Sequence, residues 1–255
     1  PKVIYLAAGV GERLRPLTYN MNKSLIEFEG ESLTEMCLKA FADLGITEVT
    51  ILVGHFADQI KKRLGRKFHE MTIKYIYNPF YPVTGGAHSL WLARQEFEGK
   101  PCIVMDGDHL IDPELLRKLL ESKYENCMLV DDTARPPLLT EETVVVGDHG
   151  LIKYIAWSPT GELFRMVEPE DVVGEAVVIV KLGAKASTSL SYEVDRHLRE
   201  GGSGKLEIIE PLNNTFRRHD TWYMSTEGLP WIEIDFESDL EKARNEIFPA
   251  IKKRR

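Results

Sequence analysis

Short apolar runs alternate with stretches of helical spacing through the first half of the chain. Val3 to Ala7 is a compact apolar run ending at a glycine-rich turn, the pattern of a buried strand. Leu33, Met36, Cys37, Ala40, Phe41 and Leu44 then recur at helical spacing. Ser32-Leu33-Thr34-Glu35 supplies a capping box at the start of that helix, and Gly45 a stop at its end. Val49 to Val53 reads as a strand, Phe56 to Leu64 as a helix closed by Gly65, and Ile73 to Tyr77 as a strand. Ala87 to Glu96 follows as a helix, and Cys102 to Met105 as a strand running into Asp106-Gly107-Asp108. Asp112 is placed to cap a helix that has Pro113 at its first position and reaches about Ser122; Cys127 to Val130 is the next strand.

This alternation predicts an α/β fold, a mostly parallel sheet with helices on both faces. Ligands in such sheets bind at the carboxyl ends of the strands. Both the glycine-rich turn after Ala7 and Asp106-Gly107-Asp108 fall at such ends. The second half changes character. Val144 to Ile152 reads as a hairpin, Leu163 to Val167 and Ala176 to Leu182 as strands, and Ser187 to Glu200 and Leu206 to Arg218 as helices. Trp231 to Asp235 is a strand and Glu237 to Ile247 a closing helix. No repeat or clear linker interrupts the chain. One domain is expected, in two halves, 1–131 and 132–255, the second ending in the closing helix.

Composition narrows the function classes. The 255 residues carry a net charge of -8, which disfavours general affinity for nucleic acid or an anionic membrane. Cys37, Cys102 and Cys127 are widely spaced and odd in number, which fits a reducing cytoplasm better than a disulfide framework or zinc site. No apolar run approaches the ~18 residues that span a bilayer. The opening Pro1 to Leu6 is too short for a secretory leader. Nothing in the composition decides between a monomer and a homodimer.

The densest chemistry lies in Leu6-Ala7-Ala8-Gly9-Val10-Gly11-Glu12-Arg13-Leu14-Arg15-Pro16-Leu17-Thr18, with Lys23 shortly after. Small residues at 7 to 9 and at 11 let backbone N–H groups approach a phosphate chain. Arg13 and Arg15 add forked donors, and Lys23 a mobile point charge. A Walker A loop does not fit, because Gly11 precedes Glu12 rather than Lys. A dinucleotide fingerprint does not fit either, because Leu14 occupies the third small-residue position.

The pattern L-A-A-G-x-G-x-R-L-x-P-L-T followed by a lysine resembles the signature of the nucleotidyltransferases that make sugar nucleotides and related activated compounds. That resemblance implies a Rossmann-like α/β/α sandwich with a mostly parallel mixed sheet. It also implies that Leu6, Ala7, Ala8, Gly9 and Gly11 line the nucleotide, that Arg13 meets the β/γ-phosphates and that Lys23 meets the α-phosphate. The family usually carries Pro-Lys where this chain has Asn22-Lys23-Ser24.

Three further segments extend the likeness. Two acids at Asp106-Gly107-Asp108 suit a hard cation, and by resemblance Asp108 is the metal ligand, with Asp106 the weaker candidate. Trp231-Ile232-Glu233-Ile234-Asp235 is similar to a W-x-E-I-D stretch of the choline-phosphate, aminoethylphosphonate and inositol-phosphate cytidylyltransferases, where it completes the metal site. Strand alternation puts Glu233 and Asp235 on one face. By resemblance Asp235 is the second ligand, and Glu233 is assigned to the acceptor side. Asn78, then Thr84 to Ala93, resembles a nucleotide-binding segment of the same enzymes, in which Asn78, Gly86 and Ser89 would face the base; Gly86 stands where those enzymes have Asn. Trp91 and Leu92 read as core.

The acceptor side is the least legible. Gly174-Glu175 before the strand Ala176 to Leu182 resembles a family element in which Glu175 would hold a hydroxyl or ammonium group of the acceptor and Lys181 its phosphate. Six residues of strand separate them, so alternation puts both on one face. The family's Gly-Lys after the hairpin is here Ala156-Trp157, with Lys153 as the available replacement. Trp157, Trp222, Tyr223 and Trp231 are candidates for an aromatic cage around a cationic acceptor.

The expectation is therefore a Mg²⁺-dependent nucleotidyltransferase with Lys23, Arg13 and Asp108 as catalytic residues. It would join CTP to inositol 1-phosphate, choline phosphate or 2-aminoethylphosphonate. The alternatives are a hexose-1-phosphate nucleotidylyltransferase using UTP, GTP or dTTP, and a non-catalytic nucleotide-sensing homologue.

Overall fold

The computed structural model describes residues 1–133, 143–158, 167–201 and 205–254. The strand expected over 163–167 lies almost wholly outside them. In the first half, β1 (Lys2–Ala7) is followed by a small ribbon, β2 (Glu27–Phe28) and β3 (Glu31–Ser32), then α1 (Leu33–Asp43) and β4 (Glu48–Val53). Next come α2 (Ala57–Leu64), β5 (Lys67–Phe68), β6 (Met71–Tyr77), α3 (Gly86–Leu92) and α4 (Arg94–Phe97). β7 (Cys102–Asp106), β8 (His109–Ile111), α5 (Pro113–Glu121) and β9 (Cys127–Asp131) complete that half. The second half supplies β10 (Thr143–Asp148), β11 (Leu151–Trp157), β12 (Val172–Leu182), α6 (Ala184–Glu200) and α7 (Ile209–Phe216). It ends with β13 (Trp222–Ser225), β14 (Trp231–Glu233), α8 (Glu237–Lys242) and α9 (Phe248–Arg254).

The caps read in the sequence form as expected. The Ser32 hydroxyl accepts from Glu35 N, and the Glu35 carboxylate accepts from Ser32 N. Asp112 accepts from Glu114 N at the start of α5, with Pro113 in the first turn. The helix expected over 87–96 is instead two pieces, broken at Ala93. The closing helix passes through a wide turn over Ala243–Ile247 and continues to Arg254.

One large sheet runs in the order β10-β11-β13-β9-β12-β7-β1-β4-β6-β5. Its centre, β7-β1-β4-β6, is parallel, and β9 pairs parallel with β13. β12 enters antiparallel between β7 and β9, which makes the sheet mixed. Alternation along β1 divides the two cores. Val3, Tyr5 and Ala7 pack with Phe41 of α1, Ile60 of α2 and Leu116 of α5. Ile4 and Leu6 pack with Leu90 of α3, Leu190 of α6 and Leu212 of α7 on the other face. The fold is thus an α/β/α sandwich. A third cluster joins Leu14, Ile26 and Leu33 to Ile234, Leu240 and Ile251, and ties the C-terminal segment to the loop after β1.

Candidate active site

The parallel strands end at a cavity of about 880 Å³ lined by the loop after β1, the turn after β7 and the strand β14. Gly11 sits in the left-handed region at φ 67°, where a side chain would be strained and would also crowd the Thr18 methyl at 3.0 Å. The Thr18 hydroxyl donates to Gly11 O at 2.7 Å and fixes the turn. At Gly107 a Cβ would lie 2.8 Å from Leu6 O, and Gly107 N donates to that carbonyl. These contacts hold the two strand-end turns side by side.

The short strand β8, absent from the sequence reading, explains how distant acids meet. β8 pairs antiparallel with β14, placing His109 opposite Glu233, and Ile234 N donates to Asp108 O. Asp108, Glu233 and Asp235 consequently present carboxylate oxygens within 4.8 Å of one another. Asp239 accepts from Asp235 N and Phe236 N at 3.0 and 2.7 Å, holding the loop that carries Asp235. Glu233, expected on the acceptor side, belongs to this acidic cluster.

Lys23 lies in the middle of it. Its Nζ is 2.7 Å from Asp108 Oδ2 and 2.7 Å from Asp235 Oδ1, with the side chains only 14–19% exposed. Arg13 reaches Asp235 Oδ2 at 2.5 Å and lies over the Phe236 ring. Burial by itself would lower the Lys23 ammonium, but Asp108, Asp235 and Glu233 raise it above the ordinary lysine range. Burial, with Asp108 and Glu207 nearby, pushes the Asp106 carboxyl up, and burial with Asp108 and Asp235 does the same to Glu233. Asp108 goes the other way: burial opposes its charge, but Lys23 and His109 hold it down.

The unusual Asn22 anchors the lysine. It is buried, and its Nδ2 donates to Ala7 O at 3.1 Å and to His55 O at 2.7 Å. Its Oδ1 accepts from Ser24 N and Ser24 Oγ, capping the turn Lys23–Leu25. A polar residue in the place of the family's proline thus keeps Lys23 at the site by hydrogen bonds rather than by ring stiffness.

The residues suit a divalent cation on two counts. Three convergent carboxylates match the oxygen preference of Mg²⁺. Asp108 Oδ1 is buried without a hydrogen-bond partner, an acceptor that a cation would satisfy.

The cavity also contains the other candidates from the first half: Leu6, Ala7, Ala8, Gly9, Asn78, Gly86, Ser89 and Asp106 line it. The Asn78 amide is committed within the wall, donating to Thr84 Oγ1 and Ser89 Oγ, each at 3.1 Å. Glu175, Trp157 and Trp231 line it too. Lys181 does not. It pairs with Ile103 and Cys127, at the end of the sheet remote from Asp106 and Asp131, and its Nζ donates to Ser122 O. Six residues of strand amount to ~20 Å, too far for one small ligand. A register shift between Val177 and Val180 also interrupts the alternation on which the same-face expectation rested. Lys153 is outside the cavity wall and lies 4.0 Å from Asp148. Trp222 stacks on Tyr124, away from the site, and Tyr223 packs against the core, so the expected cage reduces to Trp157 and Trp231.

The sequence reading missed Asp131, Glu207 and Asn22. Asp131, at the carboxyl end of β9, lines the cavity and accepts from Trp231 Nε1 at 2.9 Å. The strand-end rule that flagged Asp106 and Asp108 would have found it had the strand been carried one residue further.

The chain is 30% identical over 246 residues to choline-phosphate cytidylyltransferase of Streptococcus pneumoniae, covering 94% of this chain and 96% of that protein. It is 32% identical over 242 residues to the bifunctional IPC transferase and DIPP synthase of Aquifex aeolicus, covering 94% of this chain and spanning 50% of the relative's length. Its fold matches the inositol-1-phosphate CTP transferase from T. maritima with a TM-score of 0.72 at 18% identity, over 99% of this chain and 95% of that one. Residues 2–131 match the Nucleotidyl transferase family, and the chain belongs to that family.

Proposed function

We propose that this protein transfers a cytidylyl group from CTP to a small phosphorylated or phosphonylated acceptor and releases pyrophosphate. The observation that carries this is the meeting of Lys23, Arg13, Asp108 and Asp235 at the carboxyl end of β1. Choice of CTP draws on the choline-phosphate and inositol-phosphate relatives.

The acceptor oxygen attacks the α-phosphorus in line, the bond to the bridging oxygen breaks, and the electron pair leaves with pyrophosphate. A phosphomonoester is largely dianionic at neutral pH, its second pKa being about 6, so no side chain has to remove a proton. What remains is positioning and charge. The loop at residues 8–11 offers backbone N–H groups to the triphosphate. Lys23, released from its carboxylate partners by the arriving phosphates, stabilises charge on the α-phosphate. Arg13 holds the leaving pyrophosphate. Asp108 and Asp235, with Glu233 beside them, would hold Mg²⁺, whose chemistry is to neutralise phosphate oxygens. Glu175 and the two tryptophans face the acceptor.

Pyrophosphate release across four NTPs (CTP, UTP, GTP and dTTP) and four acceptors (inositol 1-phosphate, choline phosphate, 2-aminoethylphosphonate and a hexose 1-phosphate) tests this. Turnover highest with CTP and one of these acceptors is the expected result. Turnover only with UTP, GTP or dTTP and a hexose 1-phosphate would replace it. No turnover with any pair, alongside measurable NTP binding, would favour the nucleotide-sensing alternative.

A further inference from the structure

On the proposed reading the reacting phosphates belong beside Lys23, Asp108 and Asp235, which leaves the part of the cavity around Gly85, Gly86 and Ser89 for the base, where the family resemblance also puts it. The polar side chains that line the cavity there include Asn78, Thr84, Ser89 and Glu207. Three of them are tied into the wall. Asn78 donates to Thr84 and Ser89 and accepts from Phe80 N, and Thr84 donates to Phe80 O. Glu207 differs. Among the described residues its carboxylate accepts only from Gly86 N, through Oε2 at 3.3 Å.

Two glycines bring Glu207 there. A Cβ at Gly85 would stand 2.4 Å from Leu206 O and 2.9 Å from Glu207 Oε1. A Cβ at Gly86 would meet Ile208 Cγ2 at 3.2 Å and Glu207 Oε2 at 3.6 Å. Ala87 N donates to Leu206 O at 3.0 Å, pinning the segment onto the turn. The bare surface of Gly85-Gly86, with Gly86 in the position where the sequence pattern leads one to expect Asn, thus admits a carboxylate from a distant part of the chain.

An ionised carboxylate only accepts hydrogen bonds. It is matched to the exocyclic amine of cytosine and mismatched to the carbonyl oxygen that uracil carries at the same position. We propose that Glu207 is the residue that selects the base, accepting from the cytosine amine and disfavouring uracil. This rests on the CTP reading above.

The test compares kcat/KM for CTP and UTP, at one fixed acceptor, in the wild type, Glu207→Gln and Glu207→Ala. Charge-assisted hydrogen bonds are the stronger class. The CTP/UTP preference of the wild type should fall roughly 10- to 100-fold in Glu207→Gln, whose amide can donate to the uracil oxygen. Glu207→Ala should lose the preference without gaining UTP activity. Calorimetric binding of CTP and UTP without acceptor should follow the same order. An unchanged CTP/UTP ratio in both variants, or equal losses for both nucleotides as a ribose contact or a structural role would give, overturns the proposal while leaving the CTP reading intact. A wild type that prefers UTP overturns that reading and this proposal with it.

Discussion

The two halves of the sheet reach the cavity by different routes. In the first, Ala8, Gly9, Gly11, Arg13 and Lys23 come from one stretch of chain that follows β1, and local turns within that stretch set them all. In the second, Trp157, Glu175, Glu207 and Trp231 come from four separate segments and meet only through the sheet and its insertions. On the proposed reading the triphosphate is common chemistry met by backbone and fixed cations, so a contiguous motif can encode it. The acceptor and the base would be met by single side chains carried on elements whose register decides what each one touches. Asp235 sits between these cases: it belongs to the second half but is delivered to the first by the β8–β14 pairing.

The comparison makes graded predictions, because substitutions at the phosphate side should strike the chemical step and those at the acceptor side should strike binding. Asp108→Asn should have the largest effect, lowering kcat by about 10³-fold or more with an unchanged circular-dichroism spectrum, and EDTA should abolish wild-type turnover. Activity in excess EDTA would break the metal assignment. Lys23→Ala should lower kcat by about 10²–10³-fold and move KM for CTP much less, since a donor on the α-phosphate acts chiefly as charge builds there. Lys23→Arg should restore only part of the loss, because a planar fork does not reproduce a compact ammonium. A rise in KM alone would make Lys23 a ground-state anchor.

Effects at the other end should be smaller and of another kind. Glu175→Gln should raise KM for the acceptor by about 10-fold, the worth of one charge-assisted hydrogen bond, and leave KM for CTP nearly unchanged. Equal changes in both constants would remove Glu175 from the acceptor side. Lys181→Met should be the mildest. Its ammonium meets Ser122 O at the remote end of the sheet, so both Michaelis constants should stay within about 2-fold and only Tm should drop, by a few degrees. An acceptor-specific rise in KM would mean that Lys181 reaches the pocket after all.

How much was legible follows the same division. Periodicity and caps located α1, α2, α5 and the central parallel strands, because each is a local pattern with one buried face. The three-residue β8 carries too little pattern to be read, yet it sets the meeting of Asp108 with Asp235. Glu175 and Lys181 show the limit of alternation: it orders faces, while the separation of ~20 Å follows from strand rise instead, and an irregularity inside β12 resets the faces as well. Asn22 is a departure from the family's Pro-Lys pattern. Only its four side-chain hydrogen bonds, to Ala7, His55 and twice to Ser24, show how another residue takes the place of a proline. Glu207 carries no motif, since its placement depends on two glycines far away in the chain.

The central claim is attack at the α-phosphorus, and following the phosphates of CTP tests it directly. With CTP labelled at the α-phosphate, an acceptor and Mg²⁺, the label should appear in the acceptor product. With label at the γ-phosphate, it should appear only in pyrophosphate. A γ-label found on the acceptor, or hydrolysis of CTP with neither product formed, would contradict the account.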